Sequence, residues 1–253
     1  MPFTFAHPVI VLPLKTKYFA KYFSLTALVI GSMFPDFEYF IRMTLKSIYS
    51  HTILGLFTFN LPLGLLFCFI FHNIIRNELF VNLPFFLRSR LSIYTQFNWN
   101  KYFLQNPFRV IISLLIGSFS HILWDSFTHA TGYFVERINF LRYYFIINYI
   151  PIPVYKILQH SGSIIGCLIL FFLIMKLPKY TDLNKVNILY WIFAGLIVAI
   201  IFAIKIMNGL TLNQYGNIVV IFISSSLIAL ISIPIIKKLI NSVKGFCTAH
   251  NKR

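Results

Sequence analysis

Long apolar runs, interrupted by short polar segments that carry most of the charge, set the rhythm of this chain. Five runs are long enough to cross the ~30 Å hydrocarbon core of a bilayer as helices of about 20 residues. They cover residues 52–75, 110–129, 160–177, 188–207 and 217–236. Pro62 and Gly64 predict a kink in the first. Residues 1–14 are equally apolar, but Pro2, Pro8 and Pro13 leave no room there for a long helix. Residues 18–34 predict a helix stopped by Pro35, because the residue before proline disfavours the helical well. Its apolar part, 24–34, is short for a crossing and is expected to pack partway into the bilayer. The pattern predicts an all-α fold: a polytopic transmembrane helical bundle with about five full spans plus a shorter N-terminal helix. Residues 1–177 hold every polar motif of interest and read as a membrane-embedded domain. Residues 178–253 read as a C-terminal transmembrane hairpin with a basic tail, since Lys205 is the only charged side chain between Ile188 and Ile236.

Composition agrees with a membrane protein. The chain of 253 residues is 58% hydrophobic, and 22 Lys and Arg against 6 Asp and Glu give a net charge of +16. The cations lie in short loops between apolar runs, so anionic lipid and the positive-inside rule account for them, and no nucleic-acid partner is expected. The 76–109 loop, the 176–187 loop and the tail are the cationic segments, while the 208–216 loop is uncharged. Alternation then places the C-terminus in the cytoplasm, with the cell (inner) membrane of a bacterium as the expected location. No small-x-small cleavage pattern follows the 24–34 run, so the N-terminus is expected to be retained. Cys68, Cys167 and Cys247 form no C-x-x-C pair and are expected to pack rather than react.

Carboxylates are so scarce that their neighbours matter. The stretch SFSHILWDSFTHATG places His121, Asp125 and His129 at i, i+4 and i+8. On a helix these drift by only ~80°, so they share a face, but they spread over roughly 12 Å of rise, too far for one ion to hold all three. His121 and Asp125 can share one ion while the second oxygen of Asp125 bridges to another near His129. The alternative is a helix end whose histidines cap carbonyls or meet headgroups. The topology adds more. His51 opens the first span, His129 closes the second, His160 opens the third, and Asp36 precedes the first, all on the extracytoplasmic side. His7 joins them if the N-terminal segment folds back as a half-depth hairpin. His72 lies 21 residues beyond His51, roughly 31 Å along the same helix, and is expected to be interfacial. The metal candidates are therefore His7, Asp36, His51, His121, Asp125, His129 and His160. Their mix of nitrogen and oxygen donors suits Zn2+, with Mn2+ or Fe2+ as alternatives, and their number suits two ions.

The segments MPFTFAHP, GSMFPDFEYF, SHT, SHILWDSFTH and YKILQHSG, in that order over residues 1 to about 175, resemble the bacterial domain-of-unknown-function family 4184. These motifs are similar to those of membrane-bound metal-dependent hydrolases and, more distantly, to the zinc-dependent phospholipase C and P1-nuclease group, helical enzymes with a trinuclear zinc site. That likeness implies ligands at His7, at Asp36 with His51, at His121 with a bridging Asp125, and at His129 and His160. The distant group places a glutamate one turn after its last histidine, where this chain has Ile164, so the third ion's set is incomplete. The expected function is hydrolysis of a phosphoester in a lipid or lipid-linked substrate. Asp125, Asp36 and Glu38 are the expected catalytic carboxylates, and Glu38 or Gln159 the groups that orient ligands from behind. A transporter or ion pathway, and a protein whose metal only staples helices, are the rival readings.

Overall fold

A computed structural model describes residues 3–15, 18–180, 186–211 and 213–250. Pro2, Lys17, Lys185, Lys252 and Arg253, which entered the reading above, lie outside the described residues, as do the side chains of Lys15, Cys247 and His250. Among the described residues the chain is helical apart from one β-hairpin and its connecting turns and loops, and five helices are long and apolar enough to cross a membrane. It is a multi-pass membrane protein on those grounds.

The N-terminal segment is built of short pieces, as its prolines require: a 3-10 turn Thr4–Ala6, one α turn Pro8–Val11 (α1), and a 3-10 turn Leu12–Lys15. Helix Leu25–Met33 (α2) has nine residues, about 13.5 Å of rise, far less than a crossing needs. Pro35 then forces a 3-10 turn, Phe34–Asp36, before Phe37–Arg42 (α3). The first candidate span, Ile53–Asn82 (α4), answers Pro62 with a π-helical turn at Leu56–Asn60. With no N–H at Pro62, the preceding amide of Leu61 reaches back to the Leu56 carbonyl instead. This helix runs past Ile75 to Asn82, so Arg76 lies inside it. The remainder of the expected loop folds as Phe85–Leu91 (α5) and Trp99–Gln105 (α6).

Pro107–Thr128 (α7) is the helical body of the second candidate span, Pro107–Arg137, whose final turn is Tyr133–Arg137 (α8). Asn139–Arg142 (α9) leads into the antiparallel pair Tyr144–Ile147 (β1) and Ile150–Pro153 (β2), joined through Asn148 and Tyr149 at positive φ. The apolar periodicity gave no hint of this hairpin, because its strands are apolar on both faces. The third span, Val154–Met175 (α10), starts directly after Pro153, so His160 falls within the helix rather than at its start. Ile188–Met207 (α11) and Tyr215–His250 (α12) follow.

The chain divides into two compact units. One comprises Met1–Glu38, Ser47–Cys68 and Asn100–Leu177, and the other Tyr39–Lys46, Phe69–Trp99 and Pro178–Arg253. In the first unit α2 packs on α7 at backbone distance. A Cβ added at Gly31 would fall 2.4 Å from the Leu114 carbonyl oxygen, and one at Gly117 2.5 Å from that of Leu28. Small residues that let helices touch this closely hold bundles together where lipid supplies no hydrophobic drive between helices. The Ser118 hydroxyl adds a 3.1 Å bond to the Gly31 carbonyl, and the Ser24 amide donates to Ser113 Oγ at 2.8 Å. In the second unit α11 packs along α12, and the Ser224 hydroxyl donates to the Phe40 carbonyl at 2.8 Å.

Candidate metal centre

The close seam between α2 and α7 brings the two motif-bearing helices together at their ends. Asp36 sits in the 3-10 turn just after α2, and Asp125 and His121 lie about one and two turns from the end of α7. His51 arrives from the loop before α4. Thr52 caps that helix, its hydroxyl accepting from the Gly55 amide at 2.9 Å, which fixes His51 at the helix mouth.

One ligand atom from each of Asp36, His51, His121 and Asp125 lies within 4.8 Å of the other three. His121 Nε2 stands 3.4 Å from Asp36 Oδ1 and 3.3 Å from Asp125 Oδ2, and His51 Nε2 stands 3.6 Å from both of these oxygens. Zinc held by nitrogen and oxygen at 2.0–2.2 Å implies tetrahedral edges of roughly 3.3–3.6 Å. Four donor–donor distances therefore match the edges of one tetrahedral ion. On the far side of the bridging carboxylate, Asp125 Oδ1 is 3.8 Å from His7 Nε2 and 3.6 Å from His129 Nδ1, and the His7 ring stacks on His121 with centroids 3.7 Å apart.

Five of the polar atoms in this cluster have no hydrogen-bond partner among the described residues. Both nitrogens of His7, Asp36 Oδ1, His121 Nε2 and Asp125 Oδ1 are in this position, and all are buried. Buried groups of this kind are normally satisfied, so a cluster of them marks a place where water or a cation would be held.

The other atom of each ligand is held from behind. His121 Nδ1 donates to the Ser32 carbonyl at 2.8 Å, which turns Nε2 toward the carboxylates. The Thr4 hydroxyl donates to Asp36 Oδ2 at 2.5 Å, turning Oδ1 toward the two rings. His51 Nδ1 meets Ser47 Oγ at 2.9 Å and Ser50 Oγ at 3.0 Å. His129 Nδ1 bonds the Asp125 carbonyl at 3.1 Å, so its remaining nitrogen is the one available to a ligand.

Glu38 occupies a different position from the one expected of a catalytic carboxylate. Oε1 accepts from the Ile48 amide at 3.0 Å, and Oε2 from the amides of Tyr49 and Ser50 at 2.9 Å and from the Ser47 hydroxyl at 3.1 Å. Both oxygens are engaged in shaping the 47–51 loop that presents His51. His160 is exposed within α10 and is not one of the four residues whose ligand atoms lie within 4.8 Å of one another. Gln159 is buried, and its carbonyl accepts from the Ser163 hydroxyl at 2.8 Å. Spacing alone could not single out Thr4, Ser32, Ser47 and Ser50. The available signal was the clustering of small hydroxyls beside His7, Asp36 and His51.

The electrostatics favour positive charge between the carboxylates. Burial by itself raises Asp36, but the His121 ring and the contacts with His121 and His51 outweigh it, leaving the carboxyl below its ordinary range. Burial lowers His51, and contacts with Asp125 and Asp36 more than reverse that, so the imidazole is raised. Burial dominates at His7 and, with the charge on His121, pushes it down to about 3, keeping its ring neutral with a lone pair to offer.

The family described as domain of unknown function DUF4184 matches residues 1–241, and the chain belongs to that family. The match continues beyond residue 175 through most of the C-terminal helices. No curated protein and no solved structure matches the chain.

Proposed function

We propose that this member of the DUF4184 family is a membrane-embedded, metal-dependent hydrolase of a phosphoester in a lipid or lipid-linked substrate. The observation that carries this reading is the setting of Asp125. Its Oδ2 faces Nε2 of His51 and of His121, while its Oδ1 faces Nε2 of His7, with the His129 ring alongside. A carboxylate with one oxygen toward one imidazole pair and the other toward a further imidazole is placed as the bridge of a two-ion site. Asp36, His51, His121 and Asp125 would hold one ion, and His7 and His129 with Asp125 the second. Zn2+ suits these donors, with Mn2+ or Fe2+ as alternatives. Ions held there would supply Lewis acidity toward a phosphoryl oxygen and a water acidified to near-neutral pKa. Asp36 and Asp125 fix the charge of the site, and Thr4, the Ser32 carbonyl and the Ser47–Ser50 pair orient the ligands. Glu38 acts as a positioning residue through the His51 loop. The His51 and His129 side chains are 22% and 29% exposed, which gives a headgroup access. On the positive-inside rule the site lies at the extracytoplasmic face of the bacterial inner membrane and the tail in the cytoplasm.

A purely structural ion is the second reading, favoured by the four-residue set, because structural zinc is typically held by four protein ligands. Purified protein separates the readings. Two equivalents of transition metal and chelator-sensitive hydrolysis of a phosphodiester, restored by Zn2+, support the enzyme. A filled site without turnover on lipid and aryl phosphoesters supports the staple, and metal uptake into proteoliposomes would indicate transport instead.

A further inference from the structure

Beside the candidate metal centre, within the same unit, lies a cavity of about 380 Å³. His7 forms its inner end. Val9 and Ile10 line one wall, and Trp124 with Leu158, Ser161 and Ile165 the other. The N-terminal segment is fastened across α10 by a 2.9 Å bond from the Phe3 amide to Ser163 Oγ. Close packing at two glycines shapes the walls: a Cβ at Gly162 would fall 2.7 Å from Trp124 Cζ2, and one at Gly166 3.0 Å from Ala6 Cβ. The lining carries no charged side chain. At its outer end Ile165 is 56% exposed and Ile10 37% exposed, and Ile165 belongs to a candidate membrane span. At its inner end His7 is 2% exposed, has neither ring nitrogen hydrogen-bonded among the described residues, and stacks on His121.

We infer that this cavity holds the hydrocarbon chain of the substrate, entering sideways from the bilayer with its phosphoester against His7 and Asp125. This rests on the hydrolase reading and narrows its substrate to phosphoesters bearing a long alkyl, acyl or prenyl chain. A water-soluble ester has no use for an uncharged channel that opens among lipid-facing side chains. A chain already in the bilayer can slide into the channel without crossing an aqueous phase.

The test is photolabelling of the full-length protein in detergent with a long-chain alkyl phosphonate carrying a diazirine on its chain, followed by peptide mapping and by transition-metal analysis of the same samples. The expected label falls on Val9, Ile10, Trp124 or Ile165, and Ser161→Phe lowers it at least fivefold with metal content unchanged. Val9→Phe, from the opposite wall, should do the same should Ser161→Phe fold poorly. Label spread evenly over lipid-facing helices, or unchanged in both variants, would mean annular lipid only and overturns the inference. Equal labelling of the cavity by the headgroup-free alkane diazirine overturns it too. The metal assay keeps the two readings apart. Selective labelling of a protein without bound transition metal retains the chain site and removes the hydrolase, whereas bound metal without selective labelling removes the chain site alone.

Discussion

Two buried histidines on long helices each have a charged residue four positions later, and they behave in opposite ways. In one unit His72 Nδ1 accepts from Arg76 at 2.8 Å. Three further guanidinium N–H groups go to the carbonyls of Phe97 at 2.8 Å and Thr95 at 2.9 Å and to Asn77 Oδ1 at 3.0 Å. The His72 ring lies flat on Trp99 with centroids 4.5 Å apart. In the other unit His121 and Asp125 approach to 3.3 Å without a hydrogen bond, and Asp36 and His51 face the same point. Arginine offers only donors, so its pairing with a histidine closes on itself. Carboxylates and imidazole lone pairs are acceptors facing acceptors, and only a proton or a cation reconciles them. A buried histidine with a charged neighbour at helical spacing is therefore no site in itself. The sign of the partner decides.

The largest effect should come from forcing the α2–α7 seam apart. Gly117→Val, whose side chain meets the Leu28 carbonyl and the Ser32 amide, is expected to cost about 3 kcal/mol or more and to abolish metal binding. Monodispersity in gel filtration together with metal content would check this. A folded variant with full metal content would show that the site tolerates a wider seam.

The matched pair His121→Ala and His72→Ala breaks the comparison directly. The first should lose the four-ligand ion. The second should keep its metal and lose about 2 kcal/mol of stability, because an Arg76 N–H is left without its acceptor. Metal loss in His72→Ala would mean that the two histidines are not different in kind.

A smaller effect is expected of Glu38→Gln, which keeps the shape but weakens the hold on the 47–51 loop. Zinc affinity should fall 10–100-fold while stoichiometry at saturation is unchanged, as with other groups that orient a ligand from behind. An unchanged affinity in competition with a chelator would show that the loop orders itself. His160→Ala should change neither affinity nor stoichiometry, because its exposed ring stands outside the cluster.

Much of this was legible in the apolar pattern. The spans follow from run length, and the break at Pro35 follows from proline sterics. Asp36, His51, His121 and Asp125 could be named because charged and imidazole groups are so rare among apolar neighbours. What spacing could not carry was tertiary. His160 looked like a helix-opening residue because nothing in YKILQ marks Val154 as the start. His72 was expected at the interface, and only the fold shows Trp99 and Arg76 enclosing it. Glu38 looked catalytic for want of knowing that three amides of the following loop converge on it. Thr4 and the Ser32 carbonyl act at a distance in sequence that no helical period connects to their ligands.

The most direct test is elemental analysis of purified wild-type protein beside Asp125→Ala. The account predicts bound transition metal in the wild type and a loss of at least one equivalent per chain on removing the bridging carboxylate. Identical metal content in the two proteins would contradict it.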